Sequence, residues 1–387
     1  MSARHVVWLR RSFFAALFIG LFSLKTWADT PQASVQPAQS SQLPAARRVF
    51  SADLDHDGSD ELLIAHNTRL SSWRWNGHGW GELWSVEGPG VAQITLWDER
   101  DPQLWVAWGM GKGKMKAPIT VSALDPLTGK SRNVWSYSGG RSQTVAMQWV
   151  EVDQDPQPEL MIAHFINKYH TRRVILDGLS TPKPIEYPTP PIRMGTSWLI
   201  ADLDGQPGLE EVIGRVYGDA KGEYGDLSVQ PFSLKRSKLS LGTIIPTERG
   251  LKRMTSWSDA VGELFFSDGW VAAYGKKARA TLKRLRWVQG RPVVERLADS
   301  ANEFTFFDFW RREDPKQGRS LIFAQGNRGI SLITPQEHGP WRVQNLLKTQ
   351  PIVNAAIGYA GGHWWAFTPH ETGARAHRLS VPKTGAR

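Results

Sequence analysis

Residues 49–86 read VFSADLDHDGSDELLIAHNTRLSSWRWNGHGWGELWSV, and this stretch decides the fold. Val49–Ala52 has strand composition, and Asp53–Glu61 (DLDHDGSDE) is an acidic loop. Leu62–Ala65 is a short apolar run of buried-strand type, and Arg69–Trp75 alternates residue by residue. Asn76-Gly77 is a turn signal, after which Trp80–Val86 forms a further strand. Four short strands with no helical periodicity predict one antiparallel sheet.

The same order returns down the chain. Glu61-Leu62-Leu63-Ile64-Ala65 is echoed by QLWVA from Gln103, ELMIA from Glu159, EEVIG from Glu210 and ELFFS from Glu263. Weaker echoes are SLIFA from Ser320 and HWWAF from His363. The steps between units are 42, 56, 51, 53, 57 and 43 residues. A period of this size with four strands per unit predicts an all-β, seven-bladed β-propeller of four-stranded antiparallel blades. Two packed sandwiches would supply as many strands but not this recurrence. The last unit offers strands around Ile352–Ala360, His363–Thr368 and Ala376–Val381. Its fourth strand comes from near Gln42–Arg48, or else the blade has three strands and an open edge.

Ahead of the repeats stands an export signal. Arg4, Arg10 and Arg11 precede the apolar core Ser12–Leu24, and Thr26-Trp27-Ala28 places small residues at the −3 and −1 positions before Asp29. Thirteen apolar residues span roughly 20 Å, too short for a bilayer core. The expected organisation is a signal peptide at 1–28, a flexible Pro/Gln/Ser/Ala leader at 29–46 and the propeller at 47–387. The protein is accordingly expected in the periplasm or secreted, with no transmembrane segment after cleavage. The chain has no Cys, which excludes disulfides, thiol catalysis and thiolate metal sites. Its formal charge is +10, of which the first 28 residues carry four; lipid headgroups, acidic polysaccharide and nucleic acid are the anionic partners such a balance admits.

The acidic loops carry the clearest chemistry. Asp53, Asp55, Asp57 and Glu61 stand at loop positions 1, 3, 5 and 9, Ser59 offers a carbonyl at position 7, and Gly58 permits a sharp turn. Calcium takes six to eight oxygens, so alternate residues of a tight loop suit it. An EF-hand is excluded, because Ile64 holds position 12 and the flanks are strands. Glu151, Asp153, Asp155 and Glu159 repeat the spacing in the third unit. Asp202, Asp204 and Glu210 do so in the fourth, where Gln206 can ligate through its amide oxygen. Three calcium loops in seven blades are expected.

These loops, each leading into a Glu-hydrophobic strand, resemble the FG-GAP/VCBS repeats of integrin-α-type β-propellers. The resemblance implies a seven-bladed propeller whose Ca2+ ions brace loops between the first two strands of a blade. It further implies carbonyl ligands from Ser59, Gln157 and Gly208. Pro156 stands where the family has a loop Gly, Gln206 where it has an Asp, and the Phe-Gly…Gly-Ala-Pro signature is absent.

Signals for catalysis are weak. GMGKGKMK at 109–116 lacks the Gly-Lys-Ser/Thr ending of a phosphate loop, the His residues show no HExxH-like spacing, and no nucleophile elbow appears. Seventeen Trp follow the cleavage point. Trp97, Trp105, Trp149, Trp257 and Trp270 are expected to wedge between blades, and Trp75, Trp80 and Trp364 or Trp365 to reach an exposed face. The functional expectation is a non-enzymatic binding or scaffold module for a protein or glycan partner, not nucleic acid. Lys112–Lys116, Arg172-Arg173 and Lys276–Arg286 are its candidate contact segments. A polysaccharide lyase or a lectin is the alternative.

Overall fold

A computed structural model describes residues 43–88, 91–97, 103–109, 119–137, 145–150, 152, 159–167, 170–178, 183–187, 195–219, 222–233, 242–247, 251–256, 263–269, 280–299, 306–326, 329–336, 339–348 and 354–382. They belong to one compact unit, Val35–Arg387, and form seven antiparallel sheets arranged as a β-propeller, with no helix among the described residues.

Blade one is β1 (Arg48–Ala52), β2 (Glu61–His66), β3 (Arg69–Trp75) and β4 (Trp80–Glu87). Blade two is β5 (Val91–Trp97), β6 (Gln103–Trp108), β7 (Ile119–Leu124) and β8 (Ser131–Tyr137). Blade three is β9 (Val145–Val150), β10 (Glu159–Asn167), β11 (His170–Asp177) and β12 (Lys183–Tyr187). Blade four is β13 (Gly195–Ala201), β14 (Glu210–Asp219), β15 (Gly222–Pro231) and β16 (Thr243–Thr247). Blade five is β17 (Leu251–Ser256), β18 (Glu263–Gly269), β19 (Ala280–Val288) and β20 (Arg291–Asp299). Blade six is β21 (Phe306–Asp314), β22 (Arg319–Gly326), β23 (Gly329–Thr334) and β24 (Arg342–Lys348). Blade seven is β25 (Ala356–Ala360), β26 (His363–Thr368) and β27 (Arg375–Leu379). In every blade neighbours in sequence are neighbours in the sheet.

The seven echoes are the seven second strands. Their unbroken hydrophobicity has a simple cause: a second strand sits mid-blade and is covered on both faces, so both sets of alternating side chains are apolar. In β2, Leu62 and Ile64 pack toward blade seven against Trp365, Phe367 and Ala356. Leu63 and Ala65 pack the other way, against Leu104, Val106 and Trp108 of blade two. A cluster of this kind fills each seam of the ring. Trp105 shows the wedge role of aromatic residues: it is fully buried and meets Trp149 of blade three edge-on, with centroids 5.2 Å apart.

Polar groups stitch several seams. The Gln148 amide donates to Ile200 O at 2.9 Å and accepts from Ile200 N at 3.3 Å, joining blades three and four. The same seam buries an ion pair between Arg173 and Glu211, with Gln230 Nε2 donating to Glu211 at 2.7 Å. Between blades one and seven, Asp60 N donates to Tyr359 O at 2.6 Å, and Tyr359 N donates to Asp60 Oδ2 at 2.7 Å.

Blade seven has three strands among the described residues. The lead into β1 contributes backbone contacts without forming a described strand. Ala46 N donates to His370 O, Ala374 N donates to Pro44 O, and Leu43 and Ala46 are buried in the cluster that holds Trp365 and Phe367. Three of the Trp expected on an exposed face are inside. Trp80, Trp364 and Trp365 are all buried, and Trp75 is half-buried against Trp80 and Trp365. Trp97, Trp257 and Trp270 belong to segments whose side chains lie outside the described residues.

Candidate metal centre

The acidic loops join the first strand of a blade to the second. In blade one, β1 ends at Ala52 and β2 begins at Glu61, so the first and last carboxylates of the loop are held at the ends of two paired strands. Asx turns shape the segment between them. Asp53 Oδ1 accepts from Asp57 N at 3.1 Å and its Oδ2 from Gly58 N at 3.0 Å, while Asp57 Oδ1 accepts from Ser59 N at 2.8 Å. Gly58 sits at φ +83°, a conformation open to glycine at little cost.

This folding brings carboxylate oxygens of Asp53, Asp55 and Glu61 within 4.8 Å of one another. Blade four repeats the arrangement with Asp202, Asp204 and Glu210. Its loop is tied in the same way: Gly205 N donates to Asp202 Oδ1 at 2.8 Å, Gln206 N donates to Asp204 Oδ1 at 2.9 Å, and Gly208 lies at φ +125°. Asp57 is exposed and stands outside the converged trio, and Gln206 is exposed. In the third unit Glu151, Asp153, Asp155 and Gln157 lie outside the described residues, whereas Glu159 is described and buried.

One contact recurs in all three loops. Leu54 N donates to Glu61 Oε2 at 2.9 Å, Val152 N to Glu159 Oε2 at 2.8 Å and Leu203 N to Glu210 Oε2 at 2.8 Å. The loop-ending Glu is thus folded back under its own loop, where the backbone fixes one oxygen. This contact explains how the second strands of blades one, three and four each open on a Glu that the structure buries, a position normally closed to an unpaired carboxylate.

Countercharge separates the first and fourth loops. Arg74, on β3, donates through Nε to Glu61 Oε1 at 2.8 Å and pairs through Nη2 with Asp55. Burial pushes the Glu61 carboxyl above its ordinary value, and the hydrogen bond from Arg74 opposes that rise. In blade four the register sets Pro231 opposite Glu210, so the matching strand brings no cation. Among the described residues no ion pair reaches Asp202, Asp204 or Glu210. Burial pushes the Glu210 carboxyl up; the Leu203 N–H opposes this, and the charges of Asp204 and Asp202 add to the rise. An all-oxygen set of three carboxylates with partly desolvated charge fits a hard divalent cation and not a soft one.

Sequence reasoning named the members of both trios but not Arg74, which the β2–β3 pairing of Leu62 with Trp73 brings beside Glu61. The alternation of Arg69–Trp75 carried no signal that one of its polar residues would turn toward the acidic loop. In comparisons with known proteins, no family model matches the chain and no curated protein matches it.

Proposed function

We propose that the chain is an exported, calcium-braced β-propeller that acts as a non-enzymatic binding or scaffold module for a protein or glycan partner. The observation that carries this reading is the recurrence of one carboxylate constellation, tied by one backbone contact, at equivalent loops of different blades. A catalytic site is built once, whereas a brace is repeated wherever the scaffold needs it. Calcium would be held by Asp53, Asp55 and Glu61 in blade one and by Asp202, Asp204 and Glu210 in blade four, with Glu159 awaiting the same role in blade three. The ion would supply the countercharge that these buried and half-buried carboxylates call for, locking the first-to-second-strand loops. The family that the loops resemble, the FG-GAP/VCBS propellers, supports the same reading.

The test is thermal unfolding and calorimetric titration of the chain from Asp29 onward, in calcium and in chelator. Calcium is expected to raise the unfolding temperature and to bind with at least one resolvable heat. A melting curve indifferent to calcium, with no binding heat, would overturn the brace. Passing an envelope extract over the immobilised chain in both conditions then asks whether a defined protein or glycan is retained with calcium and lost with chelator.

A further inference from the structure

The first two strands of blade seven are joined by two residues, Gly361-Gly362, whereas the same connection has eight residues in blades one and four and four in blade six. Both glycines lie at positive φ, +56° and +77°, the paired left-handed conformation of a tight hairpin turn. Neighbouring blades close on this short turn from either side. Trp75 of blade one packs on Gly361 so closely that a Cβ there would meet its Nε1 at 2.3 Å. Lys316, in the first-to-second connection of blade six, donates through Nζ to Gly362 O at 2.7 Å and stands over the Tyr359 ring at 6.0 Å.

His363 opens β26 directly after the turn, and Arg378 on β27 reaches across to it, Nη2 donating to Nδ1 at 2.8 Å. Strand alternation puts Arg378 on the face of Ala376, toward blade one, and Arg375 on the face of Leu379, toward blade six. A ring nitrogen that accepts from a guanidinium carries no proton, so His363 is neutral and bears its proton on Nε2. Burial pushes this imidazole below the usual 6.5, and the charges of Arg378 and Lys316 act in the same direction with no acid opposing them.

The missing countercharge sets this turn apart. Elsewhere in the blades Arg69 pairs with Glu82, Arg172 with Glu186, and Arg284 with both Glu263 and Glu295. Among the described residues the side chains of Lys316 and Arg378 bond to a carbonyl and an imidazole and to no carboxylate. Both residues are exposed and His363 is half-buried, so two cations and an imidazole N–H gather at the surface from three separate elements. Donors gathered in this way suit a group with several oxygens around one centre, whereas a carboxylate offers two in a plane. We infer that the tip of blade seven is a binding site for a tetrahedral oxyanion, phosphate or sulfate, held by Lys316 Nζ, the Arg378 guanidinium and His363 Nε2–H. The free ion and a monoester on a sugar share this chemistry. The site is separate from the acidic loops and needs no calcium.

Imidazole nitrogen NMR spectra of the chain from Asp29 onward test this, with the His363 signals assigned by their loss in His363→Gln. The buffer is calcium-free, slightly alkaline and held at constant ionic strength with sodium chloride; it contains no carboxylate chelator, which would compete for the site. Inorganic phosphate, inorganic sulfate, glucose 6-phosphate and glucose 6-sulfate are titrated in turn. A saturable shift of His363 Nε2 is expected, while exposed His370 and His377 on the other face of β27 stay in place. Tighter binding of the sugar esters would assign the site to an esterified glycan, and tighter binding of the inorganic ions to the free anion. K316Q and R378Q are each expected to weaken binding about tenfold, the loss of one charge-assisted hydrogen bond. R375Q removes the same charge from the other face of β27 and is expected to bind as the parent does. The absence of a saturable shift with all four anions would overturn the inference. Equal movement of His363 and His370 would do so too, as would an affinity that K316Q and R378Q leave unchanged.

Discussion

Replacing Arg74 by Gln should convert the first acidic loop from a self-satisfied site to one that depends on calcium. Arg74 makes two charge-assisted contacts, one of them to the fully buried Glu61. Removing one partner of a buried pair costs about 3–5 kcal/mol, but a third of the Arg74 side chain is exposed, so solvent screening lowers the expected loss to about 2 kcal/mol. That loss applies in chelator. With calcium at a hundred times the dissociation constant of the variant, linkage adds about 2.7 kcal/mol to the variant's stability. The parent has to displace the guanidinium, so it binds calcium more weakly and gains less at the same concentration. The calcium-induced gain should therefore be larger in the variant by about the same 2 kcal/mol, and the two proteins should be nearly equally stable in calcium. Urea unfolding of both proteins, in calcium and in chelator, closes this cycle. Acid gives an independent check. The Glu61 carboxyl already sits above its ordinary 4.5, and losing Arg74 raises it further, so the folded variant takes up its proton before the unfolded chain does. The penalty in chelator should shrink as pH falls through that raised value. An equal loss in calcium and in chelator would refute the reasoning, because it would make Arg74 a structural residue and leave the loop without a cation.

Three further outcomes are expected. In D202N/D204N the calcium-dependent rise in unfolding temperature should fall, while stability in chelator should hold or improve, because two like charges beside Glu210 are removed; differential scanning calorimetry checks both. Gly358→Ala places a Cβ 2.1 Å from Ser51 Oγ and 3.0 Å from Asp60 Oδ2, so the seam between blades one and seven should weaken by about 1–3 kcal/mol and admit limited proteolysis sooner. His377 has its imidazole pushed below the usual 6.5 by burial, with the charge of Arg375 acting in the same direction, so the unfolded state binds its proton first. Its share of stability is present above about pH 6.5 and is lost as pH falls toward the depressed folded value, a slope that His377→Gln should flatten in pH-dependent denaturant melts.

The blades were legible because a strand covered on both faces leaves an unbroken apolar run, and ELLIA and ELMIA repeat that run with a Glu at its head. The acidic trios were legible for a different reason: loop length between two paired strands fixes which carboxylates converge. The wedge of Trp105 against Trp149 was expected, but other contacts with a neighbouring blade escaped. Trp80 and Trp365 belong to different ends of the chain and bury each other, centroids 6.1 Å apart, so alternation within either strand gives no sign of it. Arg74 escaped for another reason: it lies in the same blade as Asp55 and Glu61, but these partners are 19 and 13 residues earlier. The sequence allows two endings for the last blade, and among the described residues it has three strands with Leu43–Ala46 beside them, tied by backbone hydrogen bonds to His370 and Ala374.

The bond between Asp60 and Tyr359 spans 299 residues, and it sets a timetable for folding. As the chain emerges from its amino end, the face of blade one that carries Leu62, Ile64 and Trp80 has no neighbour until the final thirty or so residues arrive to supply Trp365 and Phe367. Contacts of such long sequence separation form late and slowly. Through that interval the earliest repeat stands with an uncovered apolar flank and is the place where a nascent chain is most exposed to mispairing with a copy of itself. A holding factor that acts during biogenesis therefore has its most useful target in the first blade, and slowing the synthesis of blades six and seven should reduce the yield of native protein more than the same delay placed after the last residue of β27.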